Sequence, residues 1–151
     1  MNDIALTDDI IASYIKEDYC YKASFIYKDA VVSVFLLTES HDVGLLESMR
    51  SVFQILYKDL PVVFESACRY FKEDFSEESL DIIREYQHEP SLTMKELTDN
   101  LRLGIIRIEE DGTAECDYIY RGEKYITRFI FEYYSSDDIR FKCSCTEEIE
   151  E

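Results

Sequence analysis

The segment IEEDGTAECDYIYRGEKY, residues 108–125, crowds acids around a glycine. In that arrangement carboxylates can wrap a cation, or they can turn the chain. A calcium loop needs oxygen ligands at alternating positions with a closing glutamate, and that pattern is missing. Strand alternation explains the segment better. A two-residue Asp-Gly turn would set Ile108 against Glu115 and mix core with surface. A three-residue loop, Glu110-Asp111-Gly112, sets Ile108 against Ala114, Ile106 against Cys116 and Arg107 against Glu115, with Gly112 at the left-handed position. The segment therefore reads as a hairpin.

Other chemistry is sparse. The chain has no GxSxG, HExxH, GxGxxG or phosphate-binding Gly-Lys-Ser/Thr pattern. Of the two histidines, His41 precedes Asp42 and His88 lies before Pro90. His41-Asp42 reads either as an acid/base pair or as a loop histidine beside a helix cap. A Cys–His nucleophile stays open, because such partners lie far apart in a chain. The five cysteines, at 20, 68, 116, 143 and 145, form no CxxC and suit reduced thiols. Cys143 and Cys145 read as small buried hydrophobes on one strand face, the alternative being a zinc site shared with Cys116. The expectation is a non-enzyme without metal or cofactor.

Charge says more. The formal net charge of −17 opposes binding to nucleic acid or anionic membranes and favours rapid capture of a basic partner. The surplus falls on KEDFSEESLDIIREYQHE, with Glu73, Asp74, Glu77, Glu78, Asp81, Glu85 and Glu89, and on the loop Asp137-Asp138. The expected partner-binding residues are Glu73, Asp74, Glu77, Glu78, Asp81, Glu85, Asp137 and Asp138; the plain alternative is a solvated face. Twelve tyrosines and no tryptophan fit an interface-rich surface as well as strand core.

The elements that position these residues follow from periodicity. Thr7-Asp8-Asp9 with Ile10, Ile11, Tyr14 and Ile15 predicts a short helix near 8–17, with a strand as the alternative. Alternation over Tyr19, Tyr21, Ala23, Phe25 and Tyr27, then a turn at Asp29-Ala30 into VVSVFLLT, predicts a hairpin over 19–38. Leu45, Leu46, Met49, Val52, Phe53 and Leu56 form one helical stripe. Pro61 suits the first turn of a second helix, whose stripe is Phe64, Ala67, Cys68, Phe71 and Phe75. Ser76 caps a third helix that stops before Pro90. Thr93-Met94-Lys95-Glu96 is a capping box for a fourth. Strands at 103–109, 113–121, 124–133 and 139–145 follow. Gly122-Glu123 as a two-residue turn opposes Tyr120 to Tyr125 and Asp117 to Arg128. A loop at 134–138 opposes Phe131 to Phe141 and Glu132 to Arg140.

The fold expected is α+β: an antiparallel sheet, made of the N-terminal hairpin and a four-stranded C-terminal meander, with helices packed on one face. At 151 residues the chain reads as one domain, 1–151. No apolar run reaches the roughly 18 residues of a membrane helix, and MNDIALTDD lacks a signal pattern, so the expected location is cytoplasmic.

The order of elements over 19–145, and the segment SLTMKELTDNLRLGIIRIEEDGTAECDYIYRGEKYITRFIF, resembles a bacterial domain-of-unknown-function family of small acidic proteins linked to toxin–immunity loci. Gly122-Glu123-Lys124 stands where that family carries a Gly-His pair. The resemblance implies no catalytic residues. It implies an inhibitory binding protein, an immunity protein that blocks a basic toxin domain. An intracellular scaffold or regulatory domain, and a hydrolase without a readable motif, are the alternatives.

Overall fold

The computed structural model describes residues 3–150. Its chain begins with two strands, β1 (Asp3–Ala5) and β2 (Ile11–Ile15), where the sequence predicted a helix over 8–17. Ile10 and Ala12 are buried while Ile11 is exposed, so the period is two and not 3.6. Thr7, Asp8 and Asp9 make the tight turn between the strands, closed by the Leu6 N–H donating to the Ile10 carbonyl at 2.9 Å.

A short 3-10 turn at Lys16–Asp18 leads through Tyr19, left-handed at φ 53°, into β3 (Cys20–Tyr27). Tyr19, read as strand core, is exposed. β4 (Ala30–Leu37) pairs with β3 from Tyr27↔Ala30 onward, so the turn is Lys28-Asp29, one residue earlier than expected. Both turn residues have positive φ, 49° and 66°, the conformation that matches strand twist in a two-residue hairpin.

The middle of the chain is helical. α1 (Val43–Glu73) is one helix of 31 residues, and Pro61 lies inside it. The apolar stripe explains why the helix does not break there. Leu46, Met49, Phe53, Leu56, Leu60, Val63, Ala67 and Phe71 are all buried and stay in phase across the proline. Burial of that stripe outweighs the roughly 3 kcal/mol an interior proline costs. Pro61 itself is exposed, so water can reach the Tyr57 carbonyl it leaves without an N–H donor. α2 (Glu77–Gln87) starts at the Ser76 cap, whose hydroxyl accepts from the Ser79 N–H at 3.1 Å, and ends at left-handed His88. α3 (Met94–Asp99) carries the Thr93/Glu96 capping box as read.

β5 (Arg102–Glu109), β6 (Ala114–Arg121), β7 (Tyr125–Ser135) and β8 (Asp138–Glu148) complete an eight-stranded sheet in the order β1 to β8. Neighbours are antiparallel except β4 and β5, which run parallel because the three helices carry the chain back across the sheet. The predicted registers at the first and last corners of the meander hold, with Ile108↔Ala114 and Phe131↔Phe141. The middle corner is displaced by two residues: Tyr120 faces Thr127 and Asp117 faces Ile130. Gly122 to Tyr125 form its loop, with the Gly122 N–H donating to the Tyr125 carbonyl at 2.9 Å.

The core lies between the helices and one sheet face. Tyr21, Val34, Leu36, Ile106, Tyr118, Phe129 and Phe131 meet Phe53, Leu60 and Phe71 there. α2 packs on β7 and β8, pinned where the Gln87 amide donates to the Thr127 hydroxyl at 2.7 Å and where Tyr120 donates to Glu89 at 2.7 Å. No helix of the described residues is long and apolar enough to cross a membrane.

Candidate functional site

Among the carboxylates read as a partner surface, the described structure separates two groups. Glu77 and Asp81 both accept from Arg84, at 2.9 and 2.6 Å, so these two of the expected partner-binding acids have a cation of their own. Asp138 is likewise held by Arg140, which donates to its two oxygens at 2.8 and 3.0 Å. Glu73, Asp74, Glu78, Glu85 and Asp137 are exposed and have no ion-pair partner among the described residues.

The core face of α2 holds Leu80, Ile83 and Gln87. Its opposite side carries Ile82, 50% exposed, and Tyr86, 59% exposed, at i and i+4. Glu78 and Glu85 fall on the same outward stripe. This is an aromatic–aliphatic pair beside unpaired carboxylates. The reading from sequence named the acids and missed Ile82 and Tyr86. The signal was there: both are apolar residues left over once the buried stripe of this helix is assigned.

A second feature lies where α1 faces the β7–β8 turn. A cleft of about 640 Å³ opens between them. Glu65, Arg69, Tyr70 and Asp74 line it from α1, and Asp137, Arg140 and Phe141 line it from the sheet. Tyr70 and Phe141 stack at 4.5 Å with their planes 16° apart and form its apolar wall. The structure thus brings Asp74 and Asp137, far apart in sequence, to one concavity. Burial, and then the charge of Asp74, raises the Tyr70 phenol above its usual range, so it stays neutral there.

The sheet face away from the helices is a contrast. Arg107 donates to both oxygens of Asp117 and, at 3.2 Å, to Glu115; Lys142 also holds Glu115, and Arg128 pairs with Glu147. Most of the charge there is matched within the face. Burial raises the Glu115 carboxyl, but Lys142 and Arg107 outweigh that and hold it below the usual range.

His41 and Asp42 have separate duties. Asp42 caps α1, its Oδ2 accepting from the Leu45 N–H at 2.9 Å. His41 shares a 2.6 Å hydrogen bond between Nδ1 and the buried Tyr21 hydroxyl, and meets Tyr14 edge-on at 4.6 Å. The cysteines do not converge. Cys116 is buried on the core side, while Cys143 and Cys145 are exposed, a correction to their reading as buried hydrophobes. They lie beside Ile130 and Arg128 on the uncovered face, where no helix packs. Among the described residues no three His, Cys, Asp or Glu side chains gather as a metal site. Comparison with known proteins returns no matching family model, no matching curated protein and no matching solved structure.

Proposed function

We propose that this protein is an inhibitory binding protein that captures a basic protein, and that its partner is a toxin domain whose cationic site it covers. The observation that carries the reading is the outward stripe of α2. Ile82 and Tyr86 stand exposed beside Glu78 and Glu85, which have no cation of their own among the described residues. Tyrosine is among the residues enriched at interaction hot spots. The net charge of −17 supplies long-range attraction for a cationic partner and accelerates encounter. Blockade is then steric and electrostatic: carboxylates occupy the surface that the toxin would offer to its own anionic substrate. The similarity in element order to small acidic proteins of toxin–immunity loci supports the same reading.

The test uses the purified product of the neighbouring gene. Surface-capture kinetics should give an association rate that falls steeply with salt, because screening acts over roughly 8–10 Å at physiological ionic strength. Glu78→Lys with Glu85→Lys should slow association by tenfold or more. Tyr86→Ala should mainly speed dissociation, by roughly thirtyfold for a hot-spot loss of about 2 kcal/mol. A neighbour that binds without inhibition would instead favour a scaffold or regulatory role. A flat salt response with unchanged rates in both variants would leave α2 as a solvated face.

A further inference from the structure

β8 is the last strand of the sheet and pairs on one side only, with β7. It is 11 residues long, so a row of backbone N–H and C=O groups along its outer edge has no strand partner among the described residues. Long edges are usually blunted by proline, charge, a bulge, shortness or cover. β8 contains no proline; its cations Arg140 and Lys142 are paired with Asp138 and Glu115, its register irregularity is confined to Lys142, and its middle, Cys143-Ser144-Cys145, consists of small exposed residues that let another backbone approach.

The cleft sits on the helix side of this same edge. Ile139 and Phe141 of β8 line it, and α1 forms the opposite wall. A strand added to β8 sends alternate side chains toward the helices, directly over Ile139 and Phe141, and so into the cleft. Arg140 is occupied by Asp138, and Arg69 lies 3.9 Å from Glu65. Asp74 and Asp137 remain without a cation. A side chain entering there meets an apolar wall, the Tyr70–Phe141 stack, and then two unmatched carboxylates. A lysine or arginine suits both, with its methylene stem on the rings and its charged head between the acids. Overall charge decides between occupants. A second copy would bring −17 against −17, whereas a basic partner is attracted.

We propose that a basic partner adds an extended segment to the free edge of β8 and seats one of its lysines or arginines in the cleft between α1 and the β7–β8 turn. This inference rests on the reading of the protein as a binder of basic proteins. It adds the docking mode, and a contact separate from the Ile82–Tyr86 stripe.

The probe is a synthetic peptide alternating lysine and valine, beside two copies N-methylated at alternate amides in opposite phase. Binding is followed by fluorescence anisotropy, and the contact is located by amide hydrogen exchange. The plain peptide should bind and slow exchange along β8. Methylating alternate amides removes every donor on one edge of the peptide, so the copy whose methylated edge meets β8 should bind roughly tenfold or more weakly than the copy of opposite phase. Asp74→Lys with Asp137→Lys should weaken binding of the plain peptide by a similar factor, while Glu78→Lys with Glu85→Lys should change it by less than about threefold, the difference between a seated contact and a screened field. No binding, equal binding of the plain peptide and both methylated copies, protection away from β8, or Cys145–Cys145 crosslinking between copies in dilute solution would each overturn the proposal. If the neighbouring gene's product still binds through α2 in any of those cases, only the strand-addition mode is lost. If it does not, both readings fall.

Discussion

Arg107 grips Asp117 with both terminal nitrogens on the sheet face that the helices leave uncovered, yet Asp117 is 0% exposed. Strand neighbours and the Arg107 side chain itself shut water out. Burial is the largest influence on the Asp117 carboxyl and raises it, while Arg107 and Arg128 pull it down. The pair tolerates its position only because each partner satisfies the other.

Asp117→Asn should therefore be costly, since it leaves a mostly buried guanidinium with Glu115 as its one remaining carboxylate. We expect a loss of about 3 kcal/mol, at the lower end for a broken buried pair because Arg107 keeps some access to water. Replacing both, Arg107→Met with Asp117→Leu, should recover most of that. Urea midpoints of the single and double variants check the pattern, and a double variant no better than the single would refute it.

Pro61→Ala should stabilise the protein. Alanine restores the N–H that bonds the Tyr57 carbonyl inside a helix the rest of the structure already enforces. The flexibility returned to the unfolded chain offsets part of that gain, leaving about 1–2 kcal/mol. Thermal unfolding would show a raised midpoint; a lowered one would mean that the proline sets a bend the packing requires.

Stability should fall steeply above pH 10. The phenols of Tyr118, Tyr120 and Tyr133 are all pushed well above their usual value of 10.0, by burial first, then by Cys116 for Tyr118, Glu89 for Tyr120 and Asp59 for Tyr133. These are acids with raised folded values. Their contribution is complete below the unfolded value and is lost as pH rises, because only the unfolded chain releases those protons. Each adds up to about 1.4 kcal/mol per pH unit beyond that point. Chemical denaturation from pH 8 to pH 11 measures the slope, and a flat profile would contradict the burial of these rings.

Thiol labelling should divide the cysteines by face. Cys143 and Cys145 are exposed and should react with a maleimide in the native protein. Cys116, fully buried with its thiol pushed up to about 12 by burial and then by Asp117, should react only on unfolding. Mass spectrometry of the labelled peptides decides; native labelling of Cys116 would place it outside the core.

What the sequence disclosed was the local part. The Glu110-Asp111-Gly112 loop, the Ser76 cap and the Thr93–Glu96 box each depend on a few adjacent residues, and each stands as read. The β6–β7 register escaped because a shift of two residues keeps every side chain on its own face, so apolar matching cannot detect it. The N-terminal strands escaped because Thr7-Asp8-Asp9 suits a helix cap and a tight turn equally, and only pairing with β3 decides. The cleft was hidden by the reading of Pro61. Two helices broken at that residue give no continuous wall to face Asp137. Nothing local foretold the parallel pairing of β4 with β5.

That pairing also dictates an order of events during synthesis. β4 ends at Leu37 and its partner β5 begins only at Arg102. At the usual pace of translation, roughly 5–20 residues per second, the edge of β4 waits about 3–13 s for the strand that covers it. Throughout that interval Val32, Val34 and Leu36 leave the ribosome on a hairpin without its neighbour, and the helices that bury them are still being made. The N-terminal hairpin is thus the segment of the nascent chain most in need of shielding from its own copies on a crowded polysome.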